Sequence, residues 1–261
     1  MFKSIWDYRY FIFSAIRNDL TTRFIHSKLG GLWVIFNPLA QVMIYALILS
    51  NVLSAKLPGI DNKFAFSIYL MSGTLGWALF SEVIARSMNL FIENANLLKK
   101  INFPRVTLPS IMLGSCLLNN IILLAAILVI FMFLGHGFDF TILWLIPLMI
   151  TVVVFAFGIG LILGVINVFV RDIGQVVPIV LQVLFWFTPI VYPVEIIPSE
   201  YLDFLNLNPM FPIIEGYHDV LLYGRAPDFM SFIHLNIIGF IVLFIGLFMF
   251  RKATPEMVDV L

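Results

Sequence analysis

Charge is scarce in this chain. Asp, Glu, Lys and Arg together make up 11% of its 261 residues, whereas soluble domains carry about 25%. The formal net charge is zero and no segment gathers a basic tract, so the electrostatic footprint that nucleic-acid binding requires is missing. Cysteine is nearly absent as well. Cys116 stands alone inside an apolar run, which excludes an intramolecular disulfide and a CxxC metal pair and reads as membrane packing.

Catalytic devices are missing too. No lysine follows a glycine, so there is no phosphate-cradling loop. His26, His136, His218 and His234 show neither HExxH nor paired spacing, so they read as interfacial residues rather than metal ligands. No Ser/His/Asp set assembles by motif. The apolar runs hold little charge, chiefly Glu82 near the end of one and Arg171 with Asp172 at the end of another. An ion-coupled carrier needs an ionisable group inside its bundle, so energy for any transport is expected from a partner, and no cofactor from this chain.

What is present is hydrocarbon: 61% of residues are hydrophobic, in long runs without a period of 3.6 or 2. About 20 apolar residues cross a bilayer as a helix. Six stretches qualify, at Gly31–Leu53, Phe64–Ile84, Leu108–Leu134, Leu143–Val170, Val176–Tyr192 and Phe232–Phe250. The expected fold is an all-α integral membrane protein of six transmembrane helices, one transmembrane domain over 1–261. Residues 1–28 lack an uninterrupted apolar stretch and a small-residue cleavage site, unlike a cleaved signal peptide. Pro178 and Pro189 should kink the fifth span. Asn119 and Asn120 in the third suit hydrogen bonds to a neighbouring helix better than substrate.

Most of the 15 Lys and Arg residues fall on the side that holds the N-terminus, the 86–107 loop, Arg171 and the tail 251–261. Lys56, Lys63 and Arg225 are left on the other, so both termini are expected in the cytoplasm. Before the first span, Phe2, Ile5, Ile12, Phe13, Ile16, Leu20 and Phe24 share one helical face, which suits a helix lying in the interface. In the 86–107 loop Leu90, Asn94, Leu97 and Ile101 share a face and Pro104 ends helical geometry. Spacing alone suits a short helix below the membrane and a solvated connector equally. The external stretch 193–231 carries starts for two short helices, after Pro198 with Ser199 as cap and from Pro212 to a stop at Gly224. They either dip into the outer leaflet or cap the bundle.

Aromatic residues are plentiful, with 27 Phe, 8 Tyr and 5 Trp. Membrane aromatics commonly face lipid or form belts; stacking on sugar rings is the other use of such planes. Tyr69, Trp77, Phe80, Trp186 and Tyr192 are the candidates for lining a path.

Within this layout a set of local sequences is recognisable: Leu29-Gly30, Leu32-Trp33 and Asn37-Pro38-Leu39, then Asn94 to Lys100 and Phe103-Pro104-Arg105. Val170-Arg171-Asp172, Thr188 to Pro193 and Asn208-Pro209-Met210 follow in order. Over nearly its whole length the chain resembles the membrane subunits of ABC-type polysaccharide exporters, the Wzm-like O-antigen permeases. The resemblance implies a bacterial inner-membrane homodimer with two ATP-binding cassette subunits, which supply ATP and Mg. It also implies a lipid-linked polysaccharide, with O-antigen ahead of capsule or teichoic acid, passing between the protomers. The coupling helix would map onto Glu93, Asn94, Leu97, Leu98, Lys99 and Lys100, with Phe103 and Arg105 beyond, and gate helices onto 199–222. Thr188, where many relatives have Ser, and Tyr217-His218, where an aromatic-Arg pair is frequent, depart from the pattern.

Overall fold

The computed structural model describes residues 6–22, 64–98, 107–137 and 139–260, with the positions 32–33, 35–36, 39–40 and 43–44. Among them every regular element is helical. Helix α1 spans Arg9–Thr22, α2 Ala65–Glu93, α3 Ala95–Leu98, α4 Thr107–Phe133, α5 Leu145–Phe169 and α6 Ile173–Trp186. Helix α7 spans Leu202–Asn206, α8 Met210–Leu221 and α9 Phe229–Val260. Four are long and apolar enough to cross a membrane: α2, α4, α5 with the 3-10 turn before it (Phe140–Phe169), and α9 over Phe229–Thr254. The stretch Gly31–Leu53 lies outside the described residues apart from those positions.

Three elements differ from the sequence reading, one of them the sixth span, which does not stop at Phe250 but continues as helix α9 to Val260 through residues read as a tail. The second span does not stop at Ile84: α2 has 29 residues, about 44 Å at 1.5 Å per residue. No Gly or Pro interrupts 85–93, and Met88, Leu90 and Phe91 are buried, so packing carries the helix on. The fifth stretch is shorter than expected. Helix α6 has 14 residues, about 21 Å, short of the roughly 30 Å hydrocarbon core. Pro189 biases Thr188 away from helical geometry, and 187–192 form turns; Pro178 is accommodated inside the helix.

The core is layered on α5, which packs against α2 on one side and α9 on the other. Lipid gives apolar helices no reason to associate, so backbone proximity has to do it. A Cβ added at Gly158 would lie 2.6 Å from the Leu243 backbone nitrogen, and one at Gly246 2.8 Å from the Gly158 carbonyl. On the opposite face Gly160 and Gly164 receive Ser87. Helix α6, by contrast, buries only Val177 and Phe185.

Helix α1 rests on α4, with Ile12 buried and Ile16 seated over Gly114. Phe13, grouped with them from spacing, is 74% exposed, as are Trp6 and Tyr10 in large part. The hundred-degree step per residue splits the apolar positions into a protein-facing pair and an aromatic outer row.

Candidate functional site

Helix α2 connects two clusters at opposite ends. At the 93–98 end, the Asn94 side chain donates to the Leu90 carbonyl at 2.9 Å, satisfying a helix-terminal acceptor, and Leu97 N–H returns to the Asn94 carbonyl. The four-residue α3 therefore leaves α2 at a fixed corner. Glu93 is exposed and Leu97 half-buried. Both, with Asn94, border a cavity of about 350 Å³ shared with Phe11 and Asp19 of α1 and Met112 of α4. Leu98 closes α3; Lys99, Lys100, Phe103 and Arg105 lie outside the described residues.

About two turns above this corner begins a polar network that sequence spacing missed. Arg86 Nη2 is 2.8 Å from Asp19 of α1, and its Nη1 is 3.9 Å from Glu82. Asn119 of α4 donates to Glu82 at 2.8 Å, and Asn120 donates to the Leu75 carbonyl at 3.0 Å. Both asparagines bond to α2, as expected of packing residues. Glu82 and Arg86 stand one helical turn apart with opposite charge, the one signal from which the pairing was readable.

At the other end Gly73 and Gly76 open a notch on α2. Cβ atoms there would come within 2.9 Å of His218 Nε2 and 2.9 Å of the Tyr217 ring. His218 is 3% exposed, not interfacial, and its Nε2 lies 3.1 Å from the Tyr69 backbone carbonyl, a contact that requires Nε2 to carry the proton. Burial lowers its pKa to about 3, against the opposing pull of that carbonyl. The Tyr69 hydroxyl lies 2.8 Å from both the Pro189 and Tyr192 carbonyls, one proton serving two acceptors. Asn208 donates to Thr188 Oγ1 at 2.9 Å and receives the Met210 N–H at 3.0 Å. The local sequences Thr188–Pro193 and Asn208–Met210, separate along the chain, thus form one unit, clamped onto α2 by Tyr69 and by α8. Helix α8 ends where expected, with Gly224 at φ 63°, a conformation easiest for glycine.

The five aromatic candidates divide. Tyr69, Trp77 and Phe80 are buried, with Trp77 5.4 Å from Phe80 and 5.6 Å from Phe185. Trp186 is 52% exposed. Tyr192 is half-buried and donates its hydroxyl to the Trp186 carbonyl at 2.8 Å. The described residues contain no cluster of His, Cys, Asp or Glu able to hold a metal ion.

A chain with a helical corner at one end of a long buried helix and a clamped segment at the other has a counterpart in sequence. Residues 10–222 match the family model described as ABC-2 type transporter. The chain belongs to that family. The match runs from α1 through α8, so both clusters of this ABC-2 protein lie within it. The O-antigen export system permease protein RfbA of Klebsiella pneumoniae is 31% identical over 248 residues, 93% of this chain and 92% of that protein. RfbA of Myxococcus xanthus is 26% identical over 98% of this chain and 97% of its own length. The polysialic acid transport protein KpsM of Escherichia coli is 27% identical over 92% of each. These relatives are named for transport rather than for a reaction, and this ABC-2 protein is likewise a transport subunit and not an enzyme.

Proposed function

We propose that this ABC-2 protein is the permease of an ATP-driven exporter carrying a lipid-linked polysaccharide, O-antigen, from the cytoplasm to the periplasm. The observation that carries the reading is similarity without large gaps at either end: 31% identity to an O-antigen export permease over 93% of the chain. In this reading the chain sits in the bacterial inner membrane with six spans and both termini cytoplasmic, bathed in membrane lipid. It pairs as a homodimer and binds two ATP-binding cassette subunits, which hold the ATP and Mg.

The geometry supplies a route for force. The ATPase engages Glu93, Asn94, Leu97, Leu98, Lys99 and Lys100, with Phe103 and Arg105, and displacement of that corner passes into α2. Because α2 also holds the notch for α8 and the Tyr69 clamp, the external segment 188–222 follows it as a gate. Trp186 and Tyr192 then face the polymer, and Tyr69, Trp77 and Phe80 back the wall.

Deleting the gene tests the reading. Surface O-antigen should disappear while lipid-linked polymer accumulates in the cytoplasm, and the wild-type gene with its ATPase partner should restore it. Unchanged surface glycan would overturn the proposal. Loss of capsule alone would favour the second reading, which similarity to KpsM supports. For topology, a single cysteine at Asp203 should label from the periplasm and one at Asn102 should not.

A further inference from the structure

Helix α6 is apolar but buries only Val177 and Phe185, and its exposed surface is of two kinds. At 100° per residue, Gln175, Ile179, Gln182 and Trp186 align in one stripe, whereas Val176, Val180, Val183 and Phe187 align about 100° further round. All eight are exposed. The valine and phenylalanine row is what lipid accepts. The stripe is not: a primary amide carries two donors and an acceptor, and hydrocarbon offers them no partners. Among the described residues neither glutamine side chain has a hydrogen-bond partner. Pro178, exposed beside the stripe, removes one more backbone donor from the helix.

We propose that Gln175, Gln182 and Trp186 form a glycan-handling stripe in which the amides exchange hydrogen bonds with sugar hydroxyls and the indole stacks on ring faces. This rests on the polysaccharide reading given above. Gln175 and Gln182 stand about 10 Å apart along the axis and Trp186 about 6 Å further on, so successive sugars meet a polar, a polar and then an aromatic contact. The stripe holds no formal charge. Neutral amides bind hydroxyls weakly enough to release them, as movement of a polymer requires, where a carboxylate or guanidinium would hold more strongly.

Single cysteines at Gln175, Gln182, Val180 and Val183, in a Cys116→Ala background, test it with a charged methanethiosulfonate reagent. A thiol reacts as its thiolate, so the two stripe positions should label on the order of tenfold faster than the two valine positions. In cells that synthesise the polymer, labelling at the stripe should be slower than in cells whose glycan synthesis is deleted. Gln175→Leu/Gln182→Leu should lower surface polymer by roughly tenfold with normal protein abundance, the scale of one or two lost hydrogen bonds. Equal labelling of stripe and valine positions overturns the proposal. So does a spontaneous disulfide between two copies through the cysteine at Gln182, which would assign the stripe to a protein interface. Labelling indifferent to the polymer, in a host where gene deletion still abolishes export, overturns the stripe and leaves the exporter standing. Export that survives gene deletion fails the exporter reading itself.

Discussion

His218 lies flat on Tyr69, their ring centroids 3.7 Å apart and their planes 18° from parallel. The same histidine donates to the Tyr69 carbonyl, so one residue of α8 grips both the side chain and the backbone of one residue of α2.

This grip has a pH signature. With its pKa depressed from 6.5 to about 3, His218 binds fewer protons folded than unfolded within that window. Stability therefore rises with pH between about 3 and 6.5 and is lost as pH falls, by up to about 1.4 kcal/mol per pH unit. His218→Phe keeps the stacking and removes the titration. Thermal unfolding in detergent should show the variant about 1 kcal/mol less stable at neutral pH, from the lost hydrogen bond, and the deficit should shrink on acidification. A deficit that stays constant with pH would contradict the assignment.

The notch around Gly76 is filled by the ring of Tyr217, so Gly76→Ala should cost about 1–3 kcal/mol by overpacking. Combined with Tyr217→Leu, the loss should fall short of the sum of the two single losses, because the residues share one space. The Tyr217 hydroxyl is buried, and among the described residues it meets no partner. Tyr217→Phe is accordingly expected to leave the melting temperature unchanged or raise it.

Arg86 joins α1 to α2 through Asp19. Arg86→Met would take this cation away from Asp19 and Glu82, and breaking such a pair from one side costs about 2–5 kcal/mol. The variant should lose folded protein in detergent. Adding Asp19→Asn should recover part of the loss, a recovery that a purely steric role for Arg86 would not give.

At the other end of α2, Asn94→Ala removes the bond to the Leu90 carbonyl. Stability should drop by about 1 kcal/mol, while transport-linked ATP hydrolysis in the reconstituted complex falls disproportionately. Glu93→Lys should depress export with membrane insertion unchanged. Normal export in both variants would reduce this corner to a connector.

Hydropathy made four spans legible because an apolar run of sufficient length has few other fates, and the asparagines were readable because lipid leaves their amides only protein to bond. The end of α2 was not legible. Arg86 and Glu93 resemble a loop in composition, and only the burial of Met88, Leu90 and Phe91 against other helices shows that the helix continues. The brevity of α6 was half visible in Pro189. The meeting of Thr188 with Asn208 was hidden, since it spans two turns whose approach depends on α8 entering the glycine notch. Tyr69, Trp77 and Phe80 look like Trp186 in a sequence; rotation about the helix axis, which no local pattern fixes here, separates the buried three from the exposed one.

The backbone contact between Gly158 and the Leu243–Gly246 stretch of α9 also bears on biogenesis. The partners of that contact are far apart in the chain, and α9 follows every other described helix out of the ribosome. Until it inserts, the glycine face of α5 stands open to lipid, and the small side of a helix is a poor surface for acyl chains to fill. Closure of that seam therefore marks the point at which α9 joins the helices inserted before it. A membrane protease that senses loosely associated helices would find its recognition feature in molecules stalled before Phe229 and lose it once α9 has docked.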